Sequence, residues 1–135
     1  MKATVDTNVL VRSAVRDDPH QARAADKILR TAETLAVSLT CLCEFVWVLS
    51  GPYRFGRIEI AHAIESLCDA PNVVVNRPAV DAGLEMLRAG GDFADGVIAY
   101  EGRWLGGETF VSFDKKTVSL IARQGSLAVL LAAKK

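Results

Sequence analysis

The stretch KATVDTNVLVRSAVR, residues 2–16, decides the fold because a strand, an acidic turn and a helix follow one another directly. Lys2 to Val5 predicts a short buried strand, and Asn8 to Arg16 predicts a short helix. Asp6 lies at the turn between them. An Asp at such a turn can cap the next helix or bind a metal ion, and this stretch alone leaves both interpretations open.

The rest of the chain continues this alternation. Helices are predicted at residues 19–30, 41–49, 57–69, 78–89, 92–105 and 116–123, and strands at residues 35–38, 72–75, 109–112 and 127–131. Thr40 is the predicted N-cap of the helix at 41–49. Alternating strands and helices are typical of an α/β fold with a mostly parallel sheet. Because no linker, repeat or low-complexity tract interrupts the pattern, we expect residues 1–135 to form a single domain.

The composition is that of a globular protein, since half of the residues are apolar and the formal net charge is zero. A neutral chain is unsuited to coating nucleic acid nonspecifically, but a nuclease can rely on bound metal and a local basic patch. The three cysteines lack zinc-type spacing and predict small buried hydrophobes in a reducing compartment. With no signal peptide and no apolar run of ~18 residues, we expect a cytoplasmic protein with no membrane partner.

Four acidic residues lie where a simple fold would place an apolar residue or a cap: Asp6, Glu44, Asp95 and Asp114. Glu44 is the only charge between Glu33 and Arg54. We expect it to be buried as a ligand of a cation, and the alternatives are a buried ion pair with an Arg or exposure at the rim of the fold. Asp6 and Asp114 follow predicted strands, and ligands of open α/β folds bind beyond the carboxyl ends of strands. Carboxylates suit Mg²⁺ and Mn²⁺, so the four acids together predict one shared metal site for phosphodiester hydrolysis.

Asp92 and Asp95 stand at the start of a predicted helix, just after two glycines. Asp92 is interpreted as the N-cap, with Asp95 three residues later in a variant of the capping box. An acid at Asp95 also suits the positive end of the helix dipole, so this residue can both cap and bind. For Asp114, taken alone, a turn or cap is an adequate explanation.

Four segments resemble PIN-domain proteins, in particular VapC-type toxins of bacterial toxin–antitoxin pairs. They are residues 5–10 (VDTNVL), 44–49 (EFVWVL), 92–99 (DFADGVIA) and 109–116 (TFVSFDKK). The resemblance implies a three-layer α/β/α sandwich around a mostly parallel central sheet. It also implies a Mg²⁺- or Mn²⁺-dependent endoribonuclease, a homodimer, and a cognate antitoxin that obstructs the active site.

The resemblance assigns roles residue by residue. Its catalytic and metal-binding positions fall on Asp6, Glu44, Asp95 and Asp114. Its polar companion positions fall on Thr7, Asn8 and Ser112. Asp92 is an additional acid that is either a supporting group or only a cap. The residues that we expect to contact the RNA backbone are Arg12, Lys115 and Lys116, and solvated surface is the alternative for each of them taken singly. Gly96 stands where related sequences often carry Ala, and we expect it to lower helix stability by up to about 1 kcal/mol.

Two other functions stay open. A receiver-type phosphotransfer domain also clusters acids at strand ends, but it requires an early acidic pair and a lone Lys after a late strand. A catalytically silent binding module would use the acids as caps and bind no divalent ion. Among the aromatic residues, Trp47 is predicted in the core or, with Tyr53 and Phe55, in an antitoxin-binding groove. Trp104 is predicted in the core or at a dimer interface.

Overall fold

The chain begins with the predicted strand and helix and continues as an α/β protein. A computed structural model gives its structure and describes residues 1–132. The strands are β1 (Lys2–Thr4), β2 (Thr34–Ala36), β3 (Val73–Val74), β4 (Thr109–Ser112) and β5 (Leu127–Leu130). The helices are α1 (Thr7–Val15), α2 (Pro19–Thr31), α3 (Leu39–Ser50), α4 (Arg57–Cys68), α5 (Arg77–Arg88), α6 (Phe93–Trp104) and α7 (Lys115–Arg123). The predicted alternation is confirmed, and each predicted element is present.

All of the strand pairs run parallel, which confirms the predicted α/β class. The hydrogen bonds form one sheet in the order β1-β2-β3 and a second sheet of β4 and β5. Leu35 in the first sheet lies opposite both Ala3 and Val73, and Phe110 in the second lies opposite Ala128. The two sheets belong to two compact units, residues 1–77 and residues 78 onward. Each strand therefore pairs within its own unit.

In the first unit, the core is built from β2, α3 and α4. Its fully buried side chains are Leu35, Leu42, Leu49, Ile60 and Ile64. Helix α2 packs on α1 through small residues, since Ala22 and Ala25 are buried. The two helices are also joined by Asp26, which accepts hydrogen bonds of 2.7 Å from the Ser13 hydroxyl and from the Arg16 guanidinium.

The start of α3 differs from the prediction. The Ser38 side chain accepts a hydrogen bond of 3.1 Å from the backbone N–H of Cys41, so Ser38 is the N-cap and the helix begins at Leu39. The prediction of Thr40 as the cap is wrong. Both residue types cap helices well, and β2 ends early enough for the chain to turn at Ser38.

In the second unit, the backbones of α5 and α6 touch. A Cβ atom at Gly96 would lie 2.4 Å from the carbonyl oxygen of Ala82 and 2.8 Å from the Cα of Gly83. A Cβ at Gly83 would in turn lie 2.7 Å from the fully buried ring of Phe93. Gly96 is thus more than a helix-weakening substitution, because only glycine allows this approach.

The remaining core of the second unit joins α5, α7 and the second sheet. Met86, Leu120 and Ile121 are buried together, and Phe110 of β4 and Ala128 of β5 pack against them. These contacts hold the junction between β4 and α7 in place. Within residues 1–132, no helix combines the length and the apolar character that crossing a bilayer requires.

Candidate active site

Asp6 lies at the turn between β1 and α1 and caps the helix. Its Oδ1 accepts a hydrogen bond of 3.3 Å from the backbone N–H of Val9, while the side chain is exposed to solvent. Capping engages only one of the two carboxylate oxygens, and Oδ2 accepts no hydrogen bond within residues 1–132. The cap and the metal ligand, which the sequence leaves as alternatives, are therefore compatible at this residue.

Glu44 lies on α3 and is exposed, so the expectation of burial is wrong and its alternative, exposure at the rim, is what the structure has. The apolar neighbours of Glu44 in sequence point to the other side of the helix, where Phe45, Val46 and Leu49 are buried. The prediction of Trp47 in the core is also wrong, since its exposed fraction is 72%. Helical geometry places residues three and four apart on one face, which gives α3 a solvent face despite its apolar composition.

Asp6 and Glu44 come together around Cys41. The hydroxyl of Thr7 donates to the Cys41 sulfur at 3.8 Å. Burial raises the pKa of the Cys41 thiol, the Thr7 hydrogen bond lowers it, and the negative charges of Glu44 and Asp6 raise it further. Both carboxylates therefore lie within electrostatic reach of one sulfur atom. Thr7 has a positioning role here, because it ties the start of α1 to α3.

In the second unit, Thr117 joins two of the predicted ligands. Its backbone N–H donates to Oδ1 of Asp114 at 3.1 Å, and its hydroxyl donates to Oδ2 of Asp95 at 3.2 Å. Thr117 is itself buried. Because Thr117 follows Asp114 by three residues, the sequence signals the capping hydrogen bond between its backbone N–H and the Asp114 side chain. Nothing in the sequence pattern signals the second bond, which spans 22 residues.

Ser112 supports Asp114 through the backbone. Its hydroxyl accepts a hydrogen bond of 2.9 Å from the N–H of Asp114, which fixes the turn from β4 into α7. Asp114 is the N-cap of α7, and its side chain is exposed. The β4–α7 turn thus presents a carboxylate whose orientation is set from both sides.

Asp95 is the most desolvated of the predicted ligands in the second unit. Burial raises its pKa, the negative charge of Asp92 raises it further, the Thr117 hydrogen bond lowers it, and the charge of Asp114 raises it. Asp92 occupies the N-cap position of α6, but its side chain makes no capping hydrogen bond. The prediction of Asp92 as a side-chain cap is wrong, and Asp92 belongs with Asp95 and Asp114 electrostatically.

The basic residues predicted to contact RNA have different surroundings. Arg12 forms an ion pair of 3.0 Å with Asp17. Lys115 and Lys116 are exposed in the first turn of α7, where the positive end of the helix dipole disfavours cations. Asn8 is exposed and lines a groove between α1 and α2 together with Arg12. The RNA contacts of the three basic residues and the supporting role of Asn8 stay predictions.

The donor chemistry fits a hard divalent cation. The candidate ligands are carboxylates, which Mg²⁺ and Mn²⁺ prefer, and the protonated Cys41 thiol is not a competing ligand. Mutual repulsion among Asp92, Asp95 and Asp114 is what a bound cation would offset. By its described residues alone, neither unit gathers three acidic, His or Cys side chains in an arrangement that could hold a metal.

Parallel strands with carboxylates just beyond the carboxyl ends of β1 and β4 define an α/β protein with candidate ligand sites at its strand ends. The chain belongs to the PIN domain family, whose profile matches residues 3–122. PIN domains are in general metal-dependent nucleases. No curated protein matches the chain significantly. The matched range contains all four of the predicted ligands, Asp6, Glu44, Asp95 and Asp114.

Proposed function

We propose that this protein is a Mg²⁺- or Mn²⁺-dependent endoribonuclease and acts as the VapC-type toxin of a toxin–antitoxin pair. The observation that carries the proposal is the pair of carboxylates that Thr117 holds in a chain of the PIN domain family. The raised pKa of Asp95, which burial and then neighbouring Asp92 cause, adds support, because such perturbed acids cluster at functional sites.

Each side chain has a role in this proposal. The residues that would hold the cation are Asp6, Glu44, Asp95 and Asp114. The bound cation supplies polarisation of the scissile phosphate and a lowered pKa of water. Thr117 orients Asp95 and Asp114, Ser112 fixes the backbone of Asp114, and Thr7 fixes the start of α1. Asp92 opposes the ionisation of Asp95 electrostatically, and a bound cation would offset this repulsion.

An Asp6→Asn variant tests the nuclease. Asn caps helices as well as Asp does, so the variant keeps α1 and loses a ligand charge. We expect RNA cleavage in Mn²⁺ to fall by at least about 100-fold, as for loss of a group essential to the transition state. The matched control is Asp18→Asn, because Asp18 caps α2 in the same way, accepting from the N–H of Gln21 at 3.1 Å.

The control variant should cleave like the wild type. Unimpaired cleavage by Asp6→Asn, or no cleavage by the wild type in either Mg²⁺ or Mn²⁺, would refute the nuclease. Calorimetric titration with Mn²⁺ separates the silent binding module, which predicts no binding heat. Acetyl phosphate labelling of a single Asp would favour the receiver-type phosphotransfer domain instead.

The toxin role adds two partners to the proposal, a cognate antitoxin and a second copy of the chain. The exposed side chains of Trp47 and Trp104 support partners of this kind, since large exposed aromatic residues are enriched at interfaces. Brief induction in cells, followed by sequencing of RNA ends beside an Asp6→Asn control, tests the toxin role. New RNA ends that appear equally in both strains would count against it.

A further inference from the structure

The solvent side of α2 carries basic side chains along its length. The exposed residues His20, Arg23, Lys27 and Arg30 form what we name the basic face of α2. Their spacing of three, four and three residues confines them to roughly 80° of the helix circumference and about 15 Å of its axis. The whole chain balances 16 Lys and Arg against 16 Asp and Glu. A face with one sign of charge is therefore a local concentration and not a consequence of overall charge.

The charges of this face are not neutralised by ion pairs. Within residues 1–132, no salt bridge involves Arg23, Lys27 or Arg30. The acidic residue of α2 itself, Asp26, is hydrogen-bonded at 2.7 Å by Arg16 and at 2.7 Å by Ser13, both from the side of α1. Arg30 lies within electrostatic reach of Asp26 but forms no ion pair with it. The three cations of the basic face are thus available to an anionic partner.

The basic face borders a groove that begins beside Asp6. The residues that line the groove include Asn8, Val9 and Arg12 of α1 and Ala24, Ala25 and Ile28 of α2. Asn8 lies in the first turn of α1, two residues after Asp6, so the lining of the groove reaches the turn that Asp6 caps. On α2, Lys27 lies only about 60° around the helix from Ala24, which places the cations along the rim of the groove. An apolar floor with a cationic rim suits a nucleic acid strand.

We propose that the basic face of α2 binds the phosphate backbone of single-stranded RNA and directs the strand along the α1–α2 groove to Asp6. The proposal rests on the proposed function in that RNA is the substrate. Repeated phosphates match a row of cations that form no ion pair within residues 1–132, and the apolar floor accepts bases or sugars. An acidic protein segment is the competing occupant, and the experiment below distinguishes it.

Salt-dependent binding tests the proposal. Anisotropy of a labelled oligouridine of about 20 nucleotides reports binding to the full chain with Asp6→Asn, in EDTA, at about 0.05 to 0.3 M salt. The test variant adds Arg23→Gln, Lys27→Gln and Arg30→Gln. Each lost contact should make the slope of log affinity against log salt shallower by about 0.7, so three should change it by about 2. Affinity at 0.1 M salt should then fall on the order of 100-fold.

The control is Arg123→Gln, which removes an exposed Arg near the end of α7 in the second unit. We expect it to leave the slope nearly unchanged. The proposal would be overturned if the triple variant kept the salt slope and the RNA affinity of the wild type. It would also be overturned if the loss of affinity per removed charge were the same in the triple variant and in the control. Normal RNA binding with lost binding of polyglutamate would also overturn it and would assign the face to an acidic protein.

Two further readouts keep the result decisive. The single variants Arg23→Gln and Lys27→Gln, each expected to change the slope by about 0.7, replace the triple variant if it does not fold. Cleavage by the protein with an intact Asp6 in Mn²⁺ is measured separately. RNA that is bound through the basic face but never cut refutes the nuclease alone. RNA that the triple variant cuts with an unchanged KM refutes the basic face alone.

Discussion

Two turns of the chain contain the same element, an Asp that follows a strand and caps the next helix. Asp6 caps α1 through one oxygen, at 3.3 Å, and the nearby Glu44 is exposed. Asp114 caps α7 at 3.1 Å, and the same Thr117 that it caps also holds the half-buried Asp95. Both Asp side chains are exposed, but the turns differ in what anchors them. Thr117 links the Asp114 turn to a second carboxylate, that of Asp95. Thr7 links the Asp6 turn to the sulfur of Cys41.

This difference suggests a division of labour in the proposed nuclease. The Asp114 turn is preorganised, since the Ser112 and Thr117 hydrogen bonds set the carboxylates before any ligand arrives. The Asp6 turn adjoins the α1–α2 groove and is open to a substrate. Variants at the Asp114 turn should therefore affect geometry and stability, and variants at the Asp6 turn should affect substrate handling.

The largest effect is expected from Gly96→Ala, which acts on the helix that carries Asp95. The added Cβ meets the carbonyl oxygen of Ala82, a backbone atom that cannot rotate away, so α5 and α6 must separate. Overpacking of this kind typically lowers the free energy of unfolding by about 1–3 kcal/mol or more. Urea denaturation measures the loss.

Gly102→Ala is the matched control on the same helix. A Cβ at Gly102 meets nothing within 4 Å, so the variant should gain about 0.5–1 kcal/mol from helix propensity alone. If both variants change stability in the same direction, the close approach of α5 and α6 is not what requires glycine at position 96.

A Thr117→Val variant tests preorganisation with little change in volume. It keeps the backbone N–H that donates a hydrogen bond to Asp114 and removes the hydroxyl that donates a hydrogen bond to Asp95. Loss of a group that orients a metal ligand typically costs about 10–100-fold in metal affinity or activity. Mn²⁺ titration and RNA cleavage measure this loss. The Thr7 hydroxyl contacts a sulfur and not a carboxylate, so Thr7→Val should reduce metal affinity and cleavage less.

An Asp95→Asn variant should stabilise the metal-free protein. Burial, and next the charge of Asp92, raise the pKa of Asp95 in the folded protein above 3.8. The folded wild type is therefore more stable, relative to the unfolded chain, when Asp95 is protonated than when it is ionised. That advantage is lost as pH rises through the raised pKa. Because Asp95 is partly solvated, screening limits the gain of the variant to about 0.5–1 kcal/mol, and the gain should be larger at neutral pH than near pH 4. Thermal melts in EDTA at both pH values measure it, and a gain that grows on acidification would contradict the assignment.

The smallest effect is expected on the α1 side, from Ser13→Ala. Hydrogen bonds from Ser13 and then Arg16 lower the pKa of Asp26 below 3.8, so they stabilise the fold above that value and lose this effect as pH falls through the folded pKa. Because Asp26 is largely solvated, we expect only about 0.5 kcal/mol at pH 7. Urea denaturation should show the difference from wild type at pH 7, and this difference should shrink as the pH falls below 3.8.

The sequence predicts the elements well because their signals are local. Pro19 at the start of α2 and the glycines that follow α5 and α6 mark helix ends within a few residues. The exposed Glu44 and Trp47 show the limit of composition, because an apolar helix still has an outer face. Whether that face is covered depends on residues distant in sequence.

The candidate site is predictable only in part, for a similar reason. Residue types and spacing identify Asp6, Asp95 and Asp114 as candidates. The bond from Thr117 to Asp95, the absence of a cap at Asp92 and the need for glycine at position 96 arise from contacts between separate elements. A one-dimensional pattern contains no signal for such contacts.

The exposed Trp47 has a practical consequence for spectroscopy. It lies one helical turn from Glu44 on the same face of α3, and the chain contains one other tryptophan, Trp104. A Trp104→Phe variant would leave a single indole fluorophore beside a proposed ligand. Its emission would then give an optical signal for Mn²⁺ arrival, because a paramagnetic ion quenches a neighbouring excited state, and the protein would need no added dye.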